Sequence, residues 1–259
     1  MQFNRLALLM MLVLAFEATG QSVKPNVLLI VCDDLNTHVS TSGYDAVQTP
    51  TLAAFSRAGM TFDRAFCQYP VCGPSRASFL HGLYPESTGV LDNTSDIRQT
   101  RPNTVSLPQY FKQNGYWTAS VGKVFHNSKN EPGNVAWNDN RKFENDELAV
   151  AVQARKKFEQ QSGSIEDRKN IKKWKQVRKA AIAPLNAQTP PGHGRSGLRD
   201  EQHKDGKNVR QVMKWLRDKS YGDQPFFITL GIQKPHVPFL APDKYFDLYP
   251  ADKITFHRD

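Results

Sequence analysis

Side chains that could hold a metal, an anion or a nucleophile recur in this sequence where predicted strands end. Asp33 and Asp34 directly follow a continuous apolar run, and Cys72 lies in the Gly/Pro-rich loop after the next predicted strand. Basic groups follow two later strands in the same way: Lys123, His126, Lys234 and His236. Ligands of open α/β sheets bind at the carboxyl edge of the strands, so we expect these stretches to converge on one pocket.

The chemistry of this pocket follows from the residue types. Adjacent aspartates where a strand turns can direct both carboxylates at one hard cation such as Ca²⁺, although each could instead be a turn or cap residue. Cys72 and Arg76 share one face where a loop enters a helix, and free backbone N–H groups there would complete an anion site with Arg76. The lysines and histidines are donors that can hold a tetrahedral oxyanion. Each alone is more often a surface or core residue, so the prediction depends on their coincidence.

The elements that must position these groups alternate between strands and helices. Apolar runs predict strands at 26–31, 60–66, 116–121 and 225–232. Capping residues, prolines and glycine stops predict helices at 49–57, 74–80 and 106–114. A further helix with one buried face is predicted by the spacing of Val209, Val212, Met213 and Leu216.

This alternation predicts the fold class. We expect an α/β protein with a doubly wound, mostly parallel sheet and helices on both faces. Residues 127–200 are rich in charge, glycine and proline, and are predicted to form an insertion over the rim of the sheet. We expect Cys32 and Cys67, which follow apolar runs, to be small buried thiols.

Residues 1–20 differ from the rest and predict an exported protein. Arg5 precedes an apolar run over 6–16, and small residues precede a cleavage site before Gln21, as in a secretory signal peptide; a buried N-terminal helix is the alternative. The mature protein would be periplasmic, extracellular or lysosomal. After residue 20 no run is long and apolar enough to span a bilayer, so no membrane partner is expected.

The positive charge of the chain is concentrated in one segment. The formal net charge is +9, and residues 155–179 alone contain ten basic side chains against three acidic ones. Such a run is commonly a solvated helix face, but it could also attract a polyanion such as a sulfated glycan. Nucleic acid is not expected as the partner.

Several motifs resemble the sulfatase family of the alkaline-phosphatase-like superfamily. Cys-Gly-Pro-Ser-Arg at 72–76, followed by Leu-His-Gly at 80–82, resembles the signature in which an export-linked enzyme converts cysteine to formylglycine. The run at 26–34 resembles the first strand of the family with its metal aspartates. Runs at 108–116, 122–126 and 234–239 are most similar to iduronate-2-sulfatases. The resemblance covers residues 24–126 and 205–259, and His81 departs from the threonine usual at that position.

The resemblance implies a role for each residue at the nucleophile and the metal. Cys72 would be converted by a formylglycine-generating enzyme, and the hydrated aldehyde would supply the oxygen that attacks sulfur. One Ca²⁺ on Asp33, Asp34 and the modified Cys72 would lower the pKa of that oxygen and neutralise the sulfate. Arg76 and Lys123 would hold the aldehyde hydrate and the oxygens on the metal side.

The remaining roles concern the proton and the substrate. His126 would take the second hydroxyl proton as sulfate is expelled, while Lys234 and His236 would contact the sulfate and the leaving alcohol. The expected reaction is hydrolysis of a sulfate ester on a sulfated uronic acid or related carbohydrate. A phosphonate or phosphate ester hydrolase of the same superfamily, or an inactive fragment that binds polyanionic glycans, are the alternatives.

The end of the chain departs from the family pattern. Family members have a second pair of metal ligands on a later strand, and nothing after Lys234 offers one. The sequence therefore resembles the N-terminal part of a sulfatase catalytic domain over residues 21–259, with the fold incomplete at the C-terminus. We expect the 259-residue chain alone to have little or no activity.

Overall fold

The computed structural model describes residues 24–126, 132–143, 148–165, 167–188 and 192–254. The predicted leader at 1–20 and short pieces of the predicted insertion at 127–200 lie outside these described residues. Within them, no helix combines the length and apolar character needed to cross a bilayer.

A four-stranded parallel sheet lies at the centre of the fold. Its strands are β1 (Val27–Asp33), β2 (Trp117–Gly122), β3 (Asp139–Arg141) and β5 (Phe226–Pro235), and their order across the sheet is β1-β5-β2-β3. Strand β5 pairs with both β1 and β2, and its first six residues are all buried because it lies between them. The predictions of strands at 26–31, 116–121 and 225–232 are confirmed.

Helices connect these strands, as the alternating pattern predicts. The helices are α1 (Pro50–Ala58), α2 (Cys72–His81), α3 (Pro85–Thr88), α4 (Ile97–Thr100), α5 (Leu107–Gln113), α6 (Ala149–Ser162), α7 (Arg168–Gln188), α8 (Lys204–Arg217) and α9 (Asp243–Asp247). Single 3₁₀ turns occur at Ser40–Ser42, Gly133–Val135, Asp200–Gln202 and Ala251–Lys253. The helices predicted at 49–57, 74–80 and 106–114 are confirmed by α1, α2 and α5.

Apolar side chains of β5 alternate between two cores, one on each face of the sheet. Phe227 packs with Leu80 of α2 and stacks on Phe111 of α5, with ring centroids 4.2 Å apart. Ile228 points the other way and packs with Val212 and other residues of α8. Since successive strand residues point to opposite faces, a fully apolar strand requires cover on both sides. The doubly wound α/β prediction is confirmed.

Two glycines allow the carboxyl ends of β2 and β5 to approach each other. A Cβ at Gly122, which has φ +83°, would collide with the carbonyl oxygen of Gly231, and a Cβ at Gly231 would collide with the backbone of Lys123. This close approach brings the backbone that follows β2 directly beside β5. The loops after the two strands therefore start from adjacent points.

The strand predicted at 60–66 is wrong. Residues 60–66 have no strand structure, and Met60, Phe62 and Phe66 are among the most exposed apolar side chains of the described residues. Strand formation depends on a neighbour that pairs and packs, and the apolar pattern by itself does not supply one. As a consequence, Cys72 does not follow a strand.

Two burial predictions also need correction. Only part of the predicted apolar face of α8 is buried, because Val212 packs on the sheet while Val209 and Met213 are 40% and 44% exposed. Cys32 and Cys67 are exposed rather than buried. Cys32 lies on the same face of β1 as Leu28 and Ile30, which the described residues also leave exposed. The cover of α8 does not extend to this outermost strand.

The region predicted as an insertion contributes to the sheet and forms a helical hairpin. Strand β3 extends the main sheet beside β2, with Ala119 opposite Asp139. Helices α6 and α7 pack on each other around a small core of Phe158, Ile165 and Trp174. A short parallel ribbon follows, in which β4 (His193–Arg195) pairs with β6 (Phe239–Ala241).

Candidate active site

Asp33, the last residue of β1, is the centre of a buried cluster of charges. Its side chain is 4% exposed and accepts hydrogen bonds from Arg76 at 2.7 Å and from the ammonium of Lys123. Burial alone raises the pKa of Asp33, but the bonds and charges of Lys123 and Arg76 outweigh it, so the pKa lies below its ordinary value. The carboxylate is therefore ionised at neutral pH.

Arg76 connects the helix α2 to the loop after β2. Its guanidinium donates to Asp33, and also to the carbonyl oxygens of Lys123 at 2.5 Å and Val124 at 2.8 Å. Arg76 is 4% exposed, so these contacts replace its solvation. The prediction placed Arg76 in an open anion site, but this side chain is engaged in positioning Asp33 and the Lys123 loop.

Cys72 is the first residue of α2, where a loop becomes a helix. Its Sγ lies 3.7 Å from the Lys123 ammonium. Two positions at this helix start offer no free N–H group: Gly73 donates to Asn93 Oδ1 at 2.7 Å, and Pro74 has none. The N–H of Gly73 therefore fixes the loop rather than binding an anion.

Asn93 was not identified from the sequence, although it fixes the position of Cys72. A Cβ at Gly73 would lie 2.9 Å from Asn93 Oδ1 and 2.8 Å from the carbonyl oxygen of Asp92. Only glycine permits this approach, so the residue that follows Cys72 is held against the loop at 92–93. A contact across about twenty residues leaves no local signal in the sequence.

His236 brings the two aspartates to a common point. Its Nε2 lies 3.9 Å from Oδ2 of Asp33 and 3.9 Å from Oδ2 of Asp34. Asp34 has φ 60°, which turns the chain sharply after β1 and leaves its carboxylate half-exposed. Asp33, Cys72 and His236 place one possible ligand atom each within 4.8 Å of one another. Asp34 is not one of these three residues, but it lines the same cavity as Asp33 and Cys72.

His126 carries a buried ring nitrogen beside this cluster. Its Nδ1 has no hydrogen-bond partner among the described residues. Burial lowers the pKa of His126, and the positive charges of Lys123 and Arg76 lower it further, against an opposing effect of Asp33. The imidazole is therefore neutral at pH 7 and able to accept a proton.

Lys234 is the second-last residue of β5. Its ammonium donates to the carbonyl oxygen of Pro238 at 2.5 Å, and its side chain lines a separate cavity with Asp205, Val209 and Tyr245. The predicted site residues Asp33, Asp34, Cys72 and His236 meet as expected, whereas Lys234 reaches this second cavity instead. The hydrogen bond to Pro238 closes the loop on itself.

A cavity of about 580 Å³ opens beside the charged cluster. Asp33, Asp34, Cys72 and Arg76 form one side of it, and Tyr69 and Asn93 form another. Cys32 and Cys67 also line this cavity, so all three cysteines of the chain face the same space. The site is accessible to a ligand at its most strongly charged point.

Asp205 positions the end of β5, which carries Lys234 and leads into the loop with His236. It lies in the first turn of α8 and accepts the backbone N–H groups of Gln233 and Lys234, both at 2.9 Å. Nothing in the sequence analysis pointed to Asp205, because the contact joins residues 28 and 29 positions apart. Near the end of β5, its carboxylate supplies the hydrogen-bond acceptors that a neighbouring strand would otherwise provide.

Replacing Asp205 with alanine is expected to loosen this loop. Two half-buried N–H groups lose their acceptor, so we expect the free energy of unfolding to fall by about 1–3 kcal/mol. Amide hydrogen exchange at Gln233 and Lys234 should accelerate more than in the rest of β5. Asp218→Ala, which removes an exposed carboxylate at the other end of α8, is the matched control and should change neither measurement appreciably. Unchanged exchange at both amides in Asp205→Ala would contradict the assignment.

Comparison with known proteins places the chain among proteins of one family. The model of the family described as Sulfatase matches residues 25–258. The sequence is 34% identical to a sulfatase of Formosa agariphila, over 89% of this chain and 43% of that protein. It is 31% identical to human iduronate 2-sulfatase, over 94% of this chain and 41% of that protein. The chain thus spans less than half the length of these curated relatives.

Solved structures show the same fold at lower sequence identity. Ps i-CgsB, crystallised with k-i-k-neocarrahexaose, has a TM-score of 0.64 at 21% identity, over 90% of this chain and 50% of that one. A phosphonate monoester hydrolase of Agrobacterium radiobacter has a TM-score of 0.62 at 20% identity, over 88% and 44%. These similarities establish the alkaline-phosphatase-like fold of this chain.

Proposed function

Because the chain belongs to the sulfatase family, we propose that it hydrolyses sulfate esters of a sulfated uronic acid or a related carbohydrate. The observation that carries the proposal is the arrangement at the start of α2. Cys72 lies within reach of Lys123, while Cys72, Asp33 and His236 converge on one point. The 31% identity with an iduronate 2-sulfatase supports a uronic acid as the sugar.

The side chains at this point fit a hard divalent cation by their chemistry. The carboxylates of Asp33 and Asp34 each lie 3.9 Å from Nε2 of His236, and carboxylate oxygen is the ligand type that Ca²⁺ prefers. We assign Asp33, Asp34 and the modified side chain of Cys72 to the ion. When bound, Ca²⁺ and the formylglycine made from Cys72 supply a neutralising charge and a nucleophilic oxygen.

The remaining residues organise charge and protons around that nucleophile. Arg76 holds Asp33 ionised and fixes the backbone of Lys123 and Val124, so the Lys123 ammonium lies between Asp33 and Cys72. An ammonium at this position stabilises negative charge that develops on an oxygen at Cys72. His126, neutral at pH 7, accepts a proton at a ring nitrogen, and His236 donates to the leaving oxygen or the sulfate.

Lys234 has a proposed role at the edge of the site. Its ammonium is half-buried beside the loop that carries His236, and we propose that it contacts the sulfate or the sugar when substrate is bound. Export before activity is part of the same proposal, because the leader at 1–20 would bring the chain to the compartment of the formylglycine-generating enzyme and of extracellular glycans.

The experiment that tests the function measures both the modification and the reaction. The chain, and a chain extended to the length of its relatives, are produced with a formylglycine-generating enzyme, and the peptide ending at Arg76 is analysed by mass spectrometry. Sulfate release is then assayed on sulfated uronates, a neutral aryl sulfate and an aryl phosphonate. We expect conversion of Cys72 and preference for the uronates. Faster turnover of the phosphonate, or an unconverted thiol in active protein, would overturn the proposal.

The protonation of His126 is open to direct measurement. Because its pKa lies below the ordinary value of 6.5, the imidazole should remain neutral as the pH falls through 6.5. NMR titration of its ring should give a midpoint below 6.5, and Lys123→Met should raise that midpoint, since a nearby positive charge disfavours protonation. His81, whose pKa is lowered by burial with no contribution from Lys123, is the control, and its midpoint should not move in Lys123→Met. A His126 midpoint above 6.5, or one insensitive to Lys123→Met, would rule out its assignment as a neutral base.

A further inference from the structure

The helix α7 presents a continuous stripe of positive charge to solvent. Its buried residues Asn170 and Trp174, with the partly buried Val177, face α6 and the ring of Phe158. Four exposed basic residues recur on the opposite side of the helix at intervals of four, three and four: Arg168, Lys172, Lys175 and Lys179. At 1.5 Å per residue the stripe is about 16 Å long. Helical periodicity therefore puts all four charges on one line.

These four charges lack acidic partners in the part of the chain that the structure describes. No carboxylate there pairs with Arg168, Lys172, Lys175 or Lys179, whereas Arg155 on α6 pairs with Glu159 in the usual way. Like charges one helical turn apart repel each other and destabilise a helix. An uncompensated row of four is therefore a feature that an anionic ligand would stabilise.

The hairpin of α6 and α7 is joined to the candidate site by a short path. The N–H of Ala149, the first residue of α6, donates to Ser196 at 3.3 Å, directly after β4. Strand β4 pairs with β6, and β6 begins three residues after His236. A ligand held on the hairpin is thus connected to the site through a ribbon of two strands.

From this geometry we propose that the stripe on α7 is an exosite for a linear sulfated polysaccharide, the chain whose ester is hydrolysed at Cys72. The choice of a glycan rests on the proposed function. A rod of evenly spaced cations complements a rod of evenly spaced sulfates and carboxylates by charge alone. The stripe has no exposed aromatic side chain, because Trp174 faces inward, so it offers no stacking surface for nucleic-acid bases.

The test compares two variants of equal net charge. One carries Arg168→Gln, Lys172→Gln, Lys175→Gln and Lys179→Gln; the control carries Arg57→Gln, Arg64→Gln, Arg101→Gln and Arg217→Gln, all at exposed positions outside the hairpin. Both are made in a Cys72→Ala background, so that binding is measured without turnover. The probes are a heparin decasaccharide, an unsulfated uronate polymer, a single-stranded DNA oligonucleotide and vesicles containing phosphatidylserine.

We expect the heparin decasaccharide to bind the parent chain and to lose about tenfold or more in affinity with the stripe variant, against less than about twofold with the control. Binding should weaken with added salt, and the unsulfated polymer should bind far less. Equal losses in both variants would show a non-specific charge effect and overturn the proposal. Tighter binding of the oligonucleotide or the vesicles would assign the stripe to another partner.

Turnover measurements test the exosite independently of the proposed sulfatase reaction. With Cys72 restored in a chain extended to the length of its relatives, turnover of a sulfated monosaccharide should be unchanged in the stripe variant, because no stripe residue lines the cavity at Asp33. The KM for a sulfated polymer should rise by a similar factor to the loss of affinity. Selective heparin binding by an extended chain in which Cys72 is converted but no sulfate is released would contradict the proposed function while supporting the exosite.

Discussion

In a chain extended to the length of its relatives, replacing Cys72 with alanine is expected to reduce sulfate release by about a thousandfold or more, because the proposed reaction has no other source of the nucleophilic oxygen. Stability should change little, since Cys72 is half-buried and the hydrogen bond that fixes the loop, from the N–H of Gly73 to Oδ1 of Asn93, does not involve the Cys72 side chain. The measurement is the initial rate of sulfate release from a sulfated uronate, with thermal unfolding recorded on the same samples.

The chain contains its own matched control for this substitution. Cys67 lines the same cavity and is also a free cysteine, but it lies outside the helix start and contacts neither Lys123 nor Asp33 in the described residues. Cys67→Ser should retain activity within about twofold, as is usual for an exposed substitution. Equal losses in Cys72→Ala and Cys67→Ser would indicate a general effect on the cavity and would remove Cys72 from the role of nucleophile.

Arg76→Ala is expected to have the largest effect on stability. It removes three hydrogen bonds and leaves the buried carboxylate of Asp33 with Lys123 as its remaining cationic partner. We therefore expect a loss of about 3–5 kcal/mol in the free energy of unfolding. Activity should also fall, because the Lys123 loop loses its support. The loss is measured by urea unfolding at pH 7, where Asp33 is ionised in the parent chain.

The pH dependence identifies the cause of this loss. The pKa of Asp33 is lowered in the folded chain, so its ion pairs stabilise the fold above the ordinary carboxyl pKa of 3.8 and lose that effect as the pH falls through the lower, folded value. The difference between Arg76→Ala and the parent should therefore shrink in acid. Lys214→Ala, which removes an exposed pair with Asp218, should cost about 0.5 kcal/mol or less. A loss in Arg76→Ala no larger than this would show that Arg76 does not organise the site.

The sequence sufficed for features that depend on local chemistry. The apolar run at 26–31 predicts a strand because neither face tolerates water, and β1 is that strand. Proline at the start of a helix and glycine just after its end predict α1 and α2 nearly to the residue. The convergence of Asp33, Cys72 and His236 was also predictable, since ligands in this fold class bind at the carboxyl edge of the strands.

Other features depended on partners far away in the chain. The pattern at 60–66 is that of a strand, but the described chain gives it no neighbour, and its apolar residues are exposed. Whether Val209 and Met213 are buried depends on how far α8 extends over the sheet, which helical periodicity does not specify. Asp205 and Asn93 gained their roles only when folding brought them to β5 and α2.

The site shows the same division between residue type and environment. The sequence by itself determined which groups are present: two adjacent carboxylates, one cysteine in a signature loop, and several cationic donors. Only the tertiary structure decided that Arg76 faces Asp33 and two carbonyl oxygens rather than an open anion site, and that Lys234 lines a second cavity. The physical reason is that a charge with no water around it must be neutralised by whatever partner packing places within reach, and that partner is set by the fold.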